Sequence, residues 1–186
     1  MMKEELKKLI LERALKVSDK PIFKLSSGKL STYYLDLRTV TLDSQGGYII
    51  GNVIFDMVKE KNPDAIGGLT LGADPISYAT AIVSYIRNKP IKPFIVRKEP
   101  KKHGTGKQIE GNIKKGEKVF IVEDVVTTAS SCLKAAKVAK ESGLEVLGII
   151  ALVDREEGGA ENIKKEGLEF YPVFRVSQLL NYNNNY

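Results

Sequence analysis

Two adjacent carboxylates, Glu123 and Asp124, follow the apolar stretch Val119-Phe120-Ile121-Val122 and precede Thr127, Thr128, Ala129, Ser130 and Ser131. Side by side, such acids can accept hydrogen bonds from neighbouring hydroxyls of a polyhydroxy ligand. The small hydroxyl residues that come next lead into a helical pattern, SCLKAAKVAKES, whose first backbone N–H groups suit a phosphate dianion. An ordinary Ser/Thr helix cap is the plainer account of the hydroxyls, but it leaves the acid pair without a packing purpose. A second cluster, RKEPKKHGTGK at residues 97–107, sets five Lys/Arg and a His against one Glu. It suits an anionic partner, or it is simply an exposed basic loop. A third, VDREEGG at residues 153–159, carries Arg155, whose planar fork suits a carboxylate. A surface Arg paired with Glu156 or Glu157 is the rival account there.

Composition narrows the chemistry. The chain has 186 residues, enough for one domain with a substantial core, and 29 Lys/Arg against 23 Asp/Glu give a net charge of +6. Cys132 is the only cysteine and His103 the only histidine, so one chain builds neither a disulfide framework nor a Cys/His zinc site. This usage fits a reducing cytosol. The N-terminal stretch is charged throughout and no run of apolar residues reaches membrane-spanning length. The expectation is a soluble, cytoplasmic protein with no membrane and no nucleic-acid partner. Two familiar phosphate motifs fail: Gly106-Lys107 is followed by Gln108 where a Walker loop needs Ser or Thr, and Gly104 and Gly106 lead to Ile109 rather than a third glycine.

The elements that must hold these groups are legible as periodicity. Leu6, Ile10, Leu11 and Leu15 line one face of an amphipathic N-terminal helix, and PIFKLSSGKLSTYYLDLRTV reads as short strands around Ser26-Ser27-Gly28. Apolar runs at 65–69, 93–96, 118–122 and 146–153 then alternate with helical patterns near 47–60, 75–87 and 131–142. Continuous apolar strands separated by helices predict an open α/β fold, a mainly parallel twisted sheet flanked by helices. A last strand, EFYPVF, precedes an Asn-rich end expected to fray. The chain is expected to form a single domain with a small N-terminal hood, about residues 1–40, on a core of about residues 41–180. In such sheets ligands collect beyond the carboxyl ends of the strands, and the acids, the hydroxyl loop and Arg155 all fall there.

With these residues in place, VFIVEDVVTTASS resembles the phosphoribosyl pyrophosphate (PRPP) signature of type I phosphoribosyltransferases, and four further segments resemble the orotate branch of that family in the same order. The resemblance implies the fold of that family, a hooded parallel sheet. It implies that Glu123 and Asp124 hold the ribose hydroxyls and Thr127, Thr128, Ala129, Ser130 and Ser131 the 5′-phosphate, with Ala129 and Ser130 standing where many members carry glycine. RKEPKKHGTG resembles the mobile catalytic loop, which implies PRPP contacts for Arg97, Lys98, Lys101 and His103 and catalytic roles for Lys101 and His103 beside Asp124. GLTLGADPI resembles the pyrophosphate loop, implying Leu71 and Gly72, with Gly72 where some relatives carry lysine. FKLSSGKLSTYYLDL resembles the hood stretch that helps form the orotate pocket, implying Ser27, Gly28, Lys29, Tyr33 and Tyr34, joined by Thr128 and Arg155.

The implied reaction transfers the phosphoribosyl group from PRPP to orotate, giving orotidine 5′-monophosphate and pyrophosphate in pyrimidine (UMP) biosynthesis. Mg²⁺ is the implied cofactor, held mainly through PRPP and water with no direct protein ligand. A homodimer whose 97–107 loop reaches the neighbouring site is implied likewise. Two alternatives stay open on the residues alone: the same chemistry on a purine or uracil, and a regulator that binds PRPP without consuming it.

Overall fold

A computed structural model describes residues 1–24, 28, 30–100 and 107–183. The chain begins with α1 (Met2–Leu9), continues in π-helical hydrogen bonding over Ile10–Ala14, and turns at Leu15 into β1 (Leu15–Val17). Leu6 and Ile10 are fully buried, as the helical spacing predicts, whereas Leu15 belongs to a strand. β2 (Phe23–Lys24) and β3 (Leu30–Ser31) pair antiparallel around the predicted turn, where Gly28 has φ +82°. β4 (Tyr33–Leu35) then pairs antiparallel with β1, placing Tyr33 opposite Val17. The short α2 (Arg38–Thr41) leads into α3 (Ser44–Val58), whose N-terminus is capped by Asp43 accepting from the Gly46 N–H at 3.0 Å.

The core follows as β5 (Ala65–Leu69), α4 (Ala73–Ile86), β6 (Lys92–Val96), β7 (Ile109–Glu110), β8 (Lys118–Val126), α5 (Ser130–Glu141), β9 (Glu145–Asp154), α6 (Gly159–Lys165), β10 (Phe170–Arg175) and α7 (Val176–Asn183). Six strands form one sheet in the order β10-β9-β8-β5-β6-β7, parallel except for the two-residue β7. From β5 the chain winds first to β6 on one side and then to β8 on the other. The boundary between β5 and β8 is therefore where strand order reverses, the place at which loops diverge and leave a crevice.

Alternation along β8 separates two apolar layers. Phe120 and Val122 face the layer built with α1, α3, α4 and α7, while Val119 and Ile121 face α5 and α6. Both sides of the strand are thus covered, which explains why it reads as an unbroken apolar run. Among the described residues no helix is long and apolar enough to cross a membrane.

Phe120 is 1 % exposed and meets Tyr171 edge to face with ring centroids 5.9 Å apart. Phe120→Ala is expected to cost about 3–5 kcal/mol of folding free energy through lost burial and the cavity left behind, read as a lower urea midpoint at unchanged slope.

Candidate active site

β8 runs on to Val126, so Glu123 and Asp124 lie inside the strand rather than beyond it. They are nonetheless at its open edge. β5 pairs with β8 only as far as Gly67 opposite Ile121, whereas β9 accompanies β8 to Val126 opposite Asp154. Past Ile121 the acids therefore face the mouth between β5 and β8 with strand geometry still fixing their backbone. The residues Leu69 to Gly72 leave β5 on the other side of this mouth, and the Thr70–Leu71 peptide is cis. An added Cβ on Gly72 would come within 2.8 Å of both Glu123 Oε1 and Asp124 Oδ1, so the bare Gly72 backbone is what lets the loop approach the two carboxylates.

Glu123 is 7 % exposed and its Oε2 has no hydrogen-bond partner among the described residues. Burial, reinforced by the adjacent Asp124 charge, pushes its carboxyl up to about 8. Cys132 lies near the same acid, and burial with the Glu123 charge raises the thiol to about 12, which leaves it unreactive.

Residues Thr127 to Ala129 turn from β8 into α5. The helix has Ala129 at its N-cap in the left-handed region, φ 68° and ψ 9°, and no side chain caps it. The ordinary Ser/Thr cap is thus not what the hydroxyls make. The first helical bond of α5 runs from the Leu133 N–H to the Ala129 carbonyl, and the preceding turn borders a cavity of about 420 Å³ walled by Glu123, Thr127, Thr128, Ser130 and Ser131. Positive helix-end dipole, small side chains and hydroxyls together suit an anion there. Ala129 holds a backbone conformation that favours glycine, a cost of order 1–2 kcal/mol. Thr128 offers its carbonyl to Asn162 of α6 at 3.1 Å, which ties the loop down.

A second space of about 380 Å³ adjoins the first, sharing Glu123, Val125 and Ser131 as its wall. Its other sides come from Leu71, Gly72, Arg38, Lys98, Asp124 and Arg155. Arg38 is held by Asp36, whose carboxyl is pulled below its usual range mainly by that hydrogen bond. Arg155, at the end of β9, has Nη2 2.9 Å from Glu157, while its guanidinium carbon lies 4.9 Å from the centre of the Tyr33 ring. Burial raises Tyr33, and the neighbouring Arg155 partly opposes that shift. Asp74, in the first turn of α4, accepts from the Thr70 hydroxyl at 2.7 Å, and burial raises its carboxyl.

The fold therefore brings together Glu123, Asp124, Thr127, Thr128, Ala129, Ser130, Ser131, Leu71, Gly72, Lys98 and Arg155 around two joined spaces, with Tyr33 against Arg155. Arg97 lines neither space and is ion-paired to Glu110 at 3.5 Å. Tyr34 turns to the other side of its strand and stacks on Phe23 at 6.1 Å. Ser27, Lys29, Lys101 and His103 lie outside the described residues, as does the Asn-rich end at 184–186. Arg38 and Asp36 were missed by sequence reasoning. Their one signal was the polar LDLR tail of the hood stretch, which resembles any strand-to-helix turn.

The raised Glu123 carboxyl has a consequence for stability. Its folded value of about 8 lies above the usual 4.5, so between these limits the folded state keeps a proton that the unfolded chain has released. Stability then falls as pH rises through that window, by at most about 1.4 kcal/mol per pH unit. Glu123→Gln imitates the protonated acid, and its urea midpoint is expected to match the parent near pH 4, below the unfolded value, and to exceed it at pH 8.5. A pH-independent difference between the two proteins refutes the assignment.

Comparison with known proteins agrees with this geometry. The phosphoribosyl transferase domain family matches residues 47–174. The orotate phosphoribosyltransferase of Aquifex aeolicus is 61 % identical over 96 % of this chain and 97 % of its own length, and that of Pyrococcus horikoshii is 47 % identical over 96 % and 93 %. The crystal structure of Mycobacterium tuberculosis orotate phosphoribosyltransferase in complex with PRPP superposes with a TM-score of 0.79 at 34 % identity, covering 96 % of this chain and 99 % of that one. This chain belongs to the phosphoribosyltransferase family, in its orotate phosphoribosyltransferase branch.

Proposed function

We propose that this chain transfers the 5-phosphoribosyl group of PRPP to orotate, releasing pyrophosphate and forming orotidine 5′-monophosphate for pyrimidine synthesis. The observation that carries the reading is the acid pair standing between two joined spaces, one under a helix N-terminus and the other reaching Gly72 and Arg155. A donor with phosphate at one end, hydroxyls in the middle and diphosphate at the other matches that order of groups. Ribose hydroxyls fall to Glu123 and Asp124, the 5′-phosphate to Thr127, Thr128, Ala129, Ser130, Ser131 and the α5 amides, and the diphosphate to the Leu71–Gly72 backbone with Arg97, Lys98, Lys101 and His103. The base falls to Arg155 and Tyr33, joined by Thr128 and by Ser27, Gly28, Lys29 and Tyr34 of the hood. A purine or uracil in place of orotate would leave Arg155 without the carboxylate that its fork suits. The regulator reading gives the basic segment at 97–107 nothing to do.

The bond from the ribosyl anomeric carbon to the diphosphate oxygen breaks while the orotate N1 bond forms, so cationic character grows on the sugar and negative charge on the leaving group. Lys101, with His103 beside it, would meet that negative charge, and Asp124 would steady the sugar. The protein contributes mainly by holding the reactants in line. Among the described residues no three His, Cys, Asp or Glu side chains gather as a metal cage, and the donor set that is present, Asp124 with a raised Glu123, fits a Mg²⁺ carried in on the diphosphate and its waters. Bound there, the ion would neutralise the leaving diphosphate.

A homodimer belongs to the same proposal. Tyr78, Ile82, Tyr85 and Ile86 recur along one face of α4 and are 52–76 % exposed, and Tyr48 of α3 adds a further exposed ring. An apolar stripe of that kind favours a protein partner, and a second copy is the partner that would bring residues 97–107 to the neighbouring site.

Two measurements test the proposal. Orotate absorbance is expected to fall only when protein, PRPP and Mg²⁺ are all present, with one pyrophosphate released per orotate consumed; turnover of another base and none of orotate refutes the base assignment. Lys101→Ala and Asp124→Ala are each expected to lose most of kcat or of PRPP use. Co-refolded in equal amounts they are expected to regain about a quarter of parental activity, half the dimers being mixed and one site in each being intact. No recovery refutes the reach of the loop between subunits.

A further inference from the structure

Arg155 is nearly closed off from water, with 11 % of its side chain exposed, and its guanidinium has three distinct surroundings. The guanidinium carbon sits over the Tyr33 ring at 4.9 Å, Nη2 meets Glu157 Oε1 at 2.9 Å, and Nε is buried with no hydrogen-bond partner among the described residues. The sequence offers two neighbouring acids, and the fold assigns them different tasks. Glu156 takes φ +58° with its N–H on Asp154 at 2.9 Å, and its side chain accepts from the Ser177 N–H at the start of α7, also at 2.9 Å. Glu157 is left to meet the guanidinium.

We propose that Glu157 is an internal surrogate for the substrate carboxylate: it holds Arg155 while the base site is empty and competes with the incoming base for the same donor. The inference rests on the reading that Arg155 receives the orotate carboxylate, and it adds a residue that sets how tightly that carboxylate is held. A guanidinium can grip a carboxylate with two parallel N–H bonds on either of two edges, Nη1 with Nη2 or Nε with Nη2. Nη2 is common to both. With Glu157 already on Nη2, an arriving carboxylate either displaces it or settles beside a like charge, and both routes weaken binding. The exchange is asymmetric, because Glu157 is 41 % exposed and can swing into water whereas Arg155 stays enclosed. The empty site thus never leaves an enclosed guanidinium wholly without a counter-charge, and the bare Nε marks a donor still to be filled.

Steady-state kinetics of the full chain carrying Glu157→Gln or Glu157→Ala tests this. Both variants are expected to lower KM for orotate by about two- to fivefold, the size of a partly exposed ion pair. KM for PRPP should stay unchanged and kcat should remain within about twofold, a split that a general structural defect does not produce. Uracil, which lacks the carboxylate, is expected to inhibit parent and variants equally. An unchanged or higher KM for orotate in both variants overturns the inference, a rise meaning that Glu157 orients Arg155 rather than competing for it. Equal tightening toward uracil also overturns it. Failure of the parent to consume orotate is a separate result, directed at the base assignment itself.

Discussion

Everything in the site depends on the early end of one strand ladder. β5 leaves β8 after Ile121, so the next residues of β8 keep one hydrogen-bonded neighbour, β9, and lose the other. A strand supported on one edge only can hold polar side chains rigidly and still present them to a crevice. Glu123 and Asp124 occupy that position, and the cost of placing them together is visible in the carboxyl of Glu123, pushed up to about 8 by burial and by its neighbour. A ligand rich in hydroxyls would relieve that cost by supplying hydrogen bonds to the Glu123 oxygen that has none among the described residues.

From that mouth the rest of the architecture follows in both directions. On the α5 side, the Ala129 conformation takes the chain directly from strand to helix without a capping side chain, which leaves the helix N-terminus to an anion. On the β5 side, Gly72 is the residue whose missing side chain lets the loop lie 2.8 Å, measured from a notional Cβ, from both acids. A larger residue with a cationic end could occupy that place only by moving the acids or the loop. The chain instead leaves its positive charge to the rim, at Arg38 and Lys98, and to the basic segment that follows Val96.

Much of this was legible in the sequence because it depends on local pattern. The unbroken apolar runs gave the parallel strands, and the acids and hydroxyls directly after Val122 gave the crevice, because strand ends and helix starts are set by neighbouring residues. What escaped was set by distant ones. Leu15 continues the apolar spacing of α1, yet pairing with Leu35 in β4 draws it into a strand. The extension of β8 through Val126 depends on β9 alone, and nothing within KVFIVEDVV shows where its partners stop. Tyr33 and Tyr34 look equivalent in sequence, but strand alternation sends one to Arg155 and the other to Phe23.

Arg155 shows how far this logic reaches. Two residues, Ser177 from the remote α7 and Asp154 from the neighbouring end of β9, decide between two adjacent glutamates, while Tyr33 of the hood lies against the guanidinium. Ser177 and Asp154 hold Glu156 away from the cleft, so the counter-charge of Arg155 is Glu157, the more easily displaced of the two because no backbone amide of α7 anchors it. An enclosed cation with an anchored partner would be inert, and one with no partner would destabilise the empty site. A cation with a releasable partner is stable when empty and still receptive to a planar anion.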